Sequence, residues 1–220
     1  MVETSKYLCE NITGCKLAYT QSDEISLLLT DYDSTETMPW FENNLQKLVS
    51  VSASMATLAF NKIFADKCAL LFDDAKADCA YSAGVRDISA YRAALSKSLK
   101  KGATFDSRAF VLPKEEVVNY FIWRQQDATR NSILMVAQSL FPHNEIQGIK
   151  CDELQEKLFA ERNVNWNDYP VPQKRGTCII KRTVIQNGAE RRKWTADNNI
   201  PIFTKDRDYI DTLVYGKTTE

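Results

Sequence analysis

The chain has 220 residues, 44% of them hydrophobic and 26% charged, with a formal net charge of −1. That length buries one sizeable core, or a core plus a smaller lobe, and the composition is that of an ordinary globular protein. No run approaches the roughly 20 apolar residues of a membrane span, and the N-terminus MVETSKYLCE has no signal-peptide pattern. The six cysteines form no C-x-x-C pair and the single histidine, His143, follows Phe141-Pro142, which excludes a Cys/His zinc site and points to reduced thiols in a cytoplasmic compartment.

Lys16-Leu17-Ala18-Tyr19-Thr20 alternates polar and apolar residues, and Ile25, Leu27 and Leu29 alternate beyond Gln21 and Ser22. A period of two on both arms predicts a β-hairpin turning around Gln21 and Ser22, which holds the adjacent acids Asp23 and Glu24 at a sheet edge. A carboxylate there reaches a metal ion or a phosphate-bound metal; a solvated turn satisfies the same pattern. Leu45, Leu48, Val49, Ser52, Met55, Ala56, Ala59, Phe60 and Ile63 recur at helical spacing, predicting an amphipathic helix that packs on the hairpin through small residues. Residues 73–102 read as an inserted short helix with loops, without chemistry of their own. FDSRAFVLP (105–113) predicts a strand ending at Pro113, and a long helix follows from Lys114 to about Phe141, stopped by Pro142. On that helix Arg124, Gln125 and Asp127 put three polar side chains on an otherwise apolar face, the pattern of a structural network.

The near-zero net charge hides an asymmetry. Residues 1–47 carry eight acids against three lysines, whereas 174–193 carry seven bases and one acid, Glu190. Those bases, Lys174, Arg175, Lys181, Arg182, Arg191, Arg192 and Lys193, fall on two strand-like runs joined by Asn187-Gly188, a strong hairpin signal. A basic hairpin suits a nucleic-acid backbone; a solubilised, aggregation-resistant edge has the same composition.

Hairpin, helix, strand and helices in that order predict an α+β fold of the ferredoxin-like type, with residues 1–113 as a sheet-bearing region and 114–220 as helices and a basic hairpin. Within this frame YTQSDEISLLL, Trp40-Phe41 followed by Lys47, FDSRAF, NYFIWRQQDATRNS (119–132), NVNWND (163–168) and KRGT (174–177) occur in order. Together they resemble the tRNA-His guanylyltransferase-like family of 3′-to-5′ nucleotide-adding enzymes.

The resemblance implies a polymerase-like palm that lengthens tRNA at its 5′ end, using ATP or GTP for activation and two Mg2+ ions held by two carboxylates. Asp23 matches a metal-binding aspartate and Glu24 an acid of the same site. Ser22, Lys47, Arg108, Asn131 and Asn165 match positions near the nucleotides, and Lys174, Arg175, Arg191, Arg192 and Lys193 are assigned to RNA. Family members look tetrameric, which implies a homo-oligomer. Thr129-Arg130-Asn131-Ser132 replaces the His-Ile-Asn-Asn stretch of eukaryotic members, so the chain resembles the bacterial and archaeal branch, whose members act as templated 5′-end repair enzymes. The family's Asp-Gly-Arg-x-Phe strand, the source of the first metal carboxylate, does not occur in these residues, and Met1 to Leu8 align with the last turns of the helix after it. The palm is thus expected to be incomplete at its N-terminal side and inactive alone. The alternative is a non-catalytic relative that binds RNA or nucleotide; a nucleotide-cyclase palm shares the two-metal logic but lacks the NYFIWRQQDATRNS helix.

Overall fold

The structure is a computed structural model that describes residues 1–72, 88–186 and 189–216. Part of the insertion (73–87) and the Asn187-Gly188 turn lie outside the described residues. Helix α1 (Val2–Asn11) leads through a turn at Gly14 into strand β1 (Cys15–Gln21), which pairs antiparallel with β2 (Glu24–Leu29). The turn is Ser22-Asp23, one residue later than expected, and Ser22 takes the left-handed conformation (φ 48°). Gln21 and Glu24 face each other as the last ladder pair. A short 3₁₀ turn (Trp40–Asn43) precedes the long helix α2 (Leu45–Phe72), and α3 covers Ile88–Lys101.

Helix α4 (Lys114–Leu140) starts after Pro113 and ends before Phe141-Pro142, as the proline spacing requires. The short α5 (His143–Ile146), α6 (Cys151–Arg162), a 3₁₀ turn (Trp166–Asp168) and α7 (Val171–Arg175) follow. Strands β3 (Thr177–Gln186) and β4 (Ala189–Asp197) and helix α8 (Asp208–Tyr215) complete the chain.

The sheet is antiparallel with the order β2-β1-β3-β4, so it joins the N-terminal hairpin to the C-terminal one. β1 is buried on both faces because helices cover both. Leu17 and Tyr19 pack with Val117, Phe121, Ile180, Phe203 and Ile210 under α4 and α8. On the opposite face Ala18 and Ile179 pack with Cys9 of α1 and Trp194 of β4. A satellite core joins the second half of α4 to α5 and α6 through Ile133, Ala137, Leu154 and Leu158.

Three expectations require correction. Residues 105–113 form no strand: the chain passes beside α2, whose side chains bond its backbone at Ala103 and Phe105. Asn61 Nδ2 donates to the Ala103 carbonyl and its Oδ1 accepts from the Ala103 N–H (2.8 Å each), while Thr57 Oγ1 accepts from Phe105 N–H at 3.0 Å. Polar side chains of a neighbouring helix satisfy an extended backbone as well as a strand does, and the period-two pattern cannot tell the two apart. Second, the basic hairpin begins at Thr177; Lys174 and Arg175 belong to α7. Third, α2 is long and apolar enough by composition alone to cross a membrane: its most apolar 18-residue window has a mean hydropathy of 1.4, and 11% of that window is buried. Its alanines raise the average without forming an unbroken run of large apolar residues. The helix packs mainly on α1 and meets the hairpin where Ala56 joins Leu8, Ile12, Ile25 and Leu27.

Candidate functional site

A two-residue turn lifts Ser22 and Asp23 beyond the ladder at the tip of the β1–β2 hairpin. Both are exposed, and the Asp23 carboxylate makes no hydrogen bond or ion pair with any described residue. Glu24 differs because strand alternation turns it toward α4. Its Oε2 accepts from Gln21 Nε2 at 2.8 Å and is ion-paired with Arg124. One helical turn along, Arg124 also reaches Asp127 at 3.4 Å, and Asp127 is held in turn by Arg130 and by Asn131 Nδ2 at 3.3 Å. The two adjacent acids of the hairpin are thus chemically distinct: one is free, and the other is fixed to a chain of alternating charges along α4. Ser26, two residues further on the same face of β2, shares a 2.9 Å hydrogen bond with Tyr120.

The same region of α4 anchors the C-terminal elements. Trp166 Nε1 donates to Ser132 Oγ at 3.0 Å, and Ser132 Oγ donates to the Lys174 carbonyl at 3.3 Å. The Tyr19 phenol donates to the Arg175 carbonyl at 2.6 Å, and burial pushes that phenol well above its ordinary value. Gly176 lets this corner close: at φ 84°, a Cβ there would lie 2.6 Å from the Thr20 carbonyl oxygen.

Lys47 is exposed in the first turn of α2, where its N–H is capped by Asn44 Oδ1 at 3.1 Å and its ammonium stands 5.7 Å from the Phe41 ring centroid. The helix N-terminus and this lysine both favour an anion. Trp40, just before that corner, packs in the same cluster as Ile25, two residues from Asp23. Arg108 is exposed and its nearest carboxylate is Asp106 at 3.4 Å. Asn165 caps its own 3₁₀ turn, accepting from Asn167 N–H at 3.0 Å and donating to Asp168 at 3.2 Å. Lys174 is half-buried, donates to the Asn167 carbonyl and lies 5.6 Å from the Trp166 ring. Arg175 is half-buried and its Nε has no hydrogen-bond partner among the described residues. Gln125 faces away from the network: its side chain clamps Pro201 and Phe203 at 2.9 and 2.8 Å.

The β3–β4 ladder continues to Gln186↔Ala189, whereas β1 pairs with β3 only from Thr20↔Thr177 to Ala18↔Ile179. Beyond Ile179 the two strands form a ribbon. Cross-strand pairing puts Arg182 and Lys193 on one face with Val184 and Arg191, and Lys181 and Arg192 on the other. All five bases are exposed. The structure therefore gathers Glu24, Arg124, Asp127 and Asn131, places Asp23 and Ser22 beside them at the tip, and keeps the ribbon's bases separate.

Among the described residues no group of three or more His, Cys, Asp or Glu side chains is arranged to hold a metal. One free carboxylate at an exposed turn fits Mg2+ that arrives on a nucleotide, since Mg2+ is usually held by one or two carboxylates together with substrate phosphates. Sequence reasoning did not single out Tyr120 or Ser132. Spacing held the signal for Tyr120, because 120, 124, 127 and 131 lie on one face of α4, next to the apolar stripe of Val117, Phe121 and Ala128.

Comparison with known proteins gives a consistent result. The family model described as Thg1, tRNAHis guanylyltransferase, matches residues 1–113. A probable tRNA(His) guanylyltransferase of Dictyostelium discoideum is 32% identical over 103 residues, covering 42% of this chain and 40% of that protein; the chain thus spans about two fifths of that relative's length. A bacterial tRNA(His) guanylyltransferase (Thg1)-like protein solved in complex with ATP superimposes with a TM-score of 0.75 at 48% identity, covering 97% of this chain and 77% of that one. A structure of a bacterial protein of the same description in complex with GTP gives a TM-score of 0.71 at 46% identity, with 97% and 75% coverage.

Proposed function

The chain belongs to the tRNA(His) guanylyltransferase family, and from that premise we propose that it forms the nucleotide- and RNA-binding part of a magnesium-dependent nucleotidyltransferase. The enzyme adds nucleotides to the 5′ end of tRNA in the 3′-to-5′ direction, as templated 5′-end repair or as guanylylation of tRNA-His. The observation that carries this reading is the free Asp23 carboxylate at the hairpin tip, beside a neighbouring acid already committed to Arg124. The similar bacterial proteins were solved with ATP and with GTP, which supports nucleoside triphosphates as ligands here.

In this reading Asp23, Ser22 and Lys47 receive the triphosphate. Lys47 and the α2 N-terminus supply positive potential, and the Asp23 carboxylate meets the cation that the triphosphate carries. Asp23 would hold the Mg2+ that arrives with the triphosphate, and that ion would supply neutralisation of phosphate charge and a lowered pKa for an attacking hydroxyl. Arg124 keeps Glu24 paired, so the tip presents one negative charge to an anionic ligand. The other pole of Asn131 and the guanidinium of Arg108 remain for nucleotide contacts. The ribbon bases Arg191, Arg192 and Lys193 take the tRNA backbone by charge. Lys174 and Arg175 serve RNA binding less directly, through the α7 corner that sets the ribbon on β1. By family likeness the assembly is a homo-oligomer, and the bacterial likeness favours templated repair.

A second reading, a relative that binds RNA or nucleotide without catalysis, is favoured by the single free carboxylate at the tip, where the resemblance implies two, the neighbouring Glu24 being committed to Arg124. Incubation with Mg2+, ATP, GTP and a tRNA lacking its first 5′ nucleotide separates the two. Extension by one nucleotide complementary to the opposing base supports the transferase; tRNA retention in a filter assay with no extension supports the binding protein.

A further inference from the structure

At the end of β1 remote from the Ser22-Asp23 tip, a cavity of about 560 Å³ opens where the ribbon leaves the sheet. Its cause is in the strand pairing. β1 and β3 part after Ala18↔Ile179, and β1 is irregular between Cys15 and Leu17, so Lys16 and Lys181 border a wedge instead of a ladder. The last turn of α8, from Thr212 to Gly216, closes the third side. With β1 seven residues long, the cavity lies about 20 Å from the hairpin tip.

The charged side chains of the lining are Lys16, Lys181 and Arg192 against Asp33. Lys181 and Arg192 project from the same face of the ribbon, and neither is within ion-pair distance of a carboxylate among the described residues. Lys16 also lines the cavity and is already ion-paired with Asp33, the sole acid of the lining. The floor is Trp194, 6% exposed, with Lys181 Nζ 5.4 Å from its ring centroid. Its indole N–H donates to no described residue and is itself open to solvent, so it is available to a ligand. Three bases against one acid, beside an accessible indole donor, suit an anion rich in acceptor oxygens.

We propose that this cavity is a phosphate-oxyanion site that holds one backbone phosphodiester of the RNA, using Lys181, Arg192 and the Trp194 indole N–H. It rests on the RNA-binding reading above for its occupant, and it adds a fixed anchor about 20 Å from the tip at which the RNA 5′ end is presented. Orthophosphate carries the same oxyanion and is the competing source. The ribbon's opposite face, with Arg182, Arg191 and Lys193, then contributes diffuse attraction and no defined pocket.

The test is a proton–nitrogen correlation titration of the whole chain at low salt, with a single-stranded RNA of twelve nucleotides in one arm and orthophosphate in the other. Four tryptophans give four indole resonances, and Trp166, whose indole donates to Ser132, is the internal control. Saturable shifts of the Trp194 indole and the Gly14 amide with RNA are expected. The Lys181→Met, Arg192→Met double variant should bind about tenfold more weakly or worse, because two charge-assisted contacts are lost. The Arg182→Met, Lys193→Met variant should still show those shifts, only at a higher RNA concentration, because it removes diffuse attraction and no ligand of the pocket. A Trp194 indole that stays still in both arms overturns the site, and shifts that survive in Lys181→Met, Arg192→Met overturn its ligands. Saturation by orthophosphate with none by RNA overturns the phosphodiester assignment. The titration needs no nucleotide transfer, so a chain that binds here but adds nothing would contradict the transferase reading alone.

Discussion

Replacing Arg124 by methionine tests the charge network most sharply. The arginine side chain is 11% exposed and lies between Glu24, 53% exposed, and Asp127, 21% exposed. Methionine keeps most of the aliphatic volume, so the change is mainly electrostatic. Removing one partner of a buried pair costs roughly 3–5 kcal/mol, and water at the exposed half of Glu24 recovers part of that, so a loss of about 2 kcal/mol is expected. Asp127 keeps Arg130 and Asn131, which limits the loss on its side. With a urea slope of about 2 kcal/mol per molar, the unfolding midpoint should fall by roughly 1 M. A cycle with Glu24→Gln should return a coupling of about 1 kcal/mol or more. If Arg124→Met unfolds within about 0.2 M of the parent on that scale, the arginine is not what fixes Glu24.

Gly176→Ala should be among the most damaging single changes, because the new Cβ meets the Thr20 carbonyl and the Tyr19 ring at 2.6–2.9 Å in a positive-φ conformation; a melting temperature lowered by at least about 5 °C is expected, and an unchanged melt would contradict the close approach. Burial raises the Tyr19 and Tyr209 phenols and the Cys178 thiol above their ordinary values of 10.0, 10.0 and 9.0. The folded chain therefore keeps protons that the unfolded chain releases. Their stabilisation is full below about pH 8, starts to decline as pH passes the ordinary thiol value of 9.0 and falls further past 10.0, so urea midpoints should be level from about pH 7 to 8 and clearly lower by about pH 10. Replacing Arg191, Arg192 and Lys193 by alanine should flatten the log–log salt dependence of tRNA binding by about 2 to 3 units, and an unaltered slope would leave the ribbon as a charged edge.

Much of the fold was legible where one physical constraint dominates a segment. The β1–β2 hairpin follows from its two alternating arms, and α4 from its apolar spacing between Pro113 and Pro142. Residues 105–113 were not, because alternation reports an extended chain without saying what its backbone bonds to; here the partners are Thr57 and Asn61, some forty residues away. The turn moved from Gln21-Ser22 to Ser22-Asp23 because Gln21 and Glu24 complete the ladder, a register that neither arm specifies alone. For the candidate site, the acid pair was visible as a motif, but the division of labour between Asp23 and Glu24 was not. It depends on an ion pair spanning 100 residues, which places α4 beside β2. The cavity beside Trp194 was equally hidden, since it exists only because β1 stops pairing with β3 before the ribbon ends.

The central claim is that the exposed Asp23 carboxylate receives the nucleotide and its cation at the hairpin tip. Calorimetric titration of ATP and GTP into the chain, with and without Mg2+, and into Asp23→Asn under the same conditions, tests it directly. The account predicts binding strengthened by Mg2+, with Asp23→Asn losing about tenfold or more of the Mg2+-dependent affinity while its melting temperature stays at the parent value, as suits a side chain with no hydrogen bond or ion pair to a described residue. Full Mg2+-dependent affinity in Asp23→Asn would contradict it.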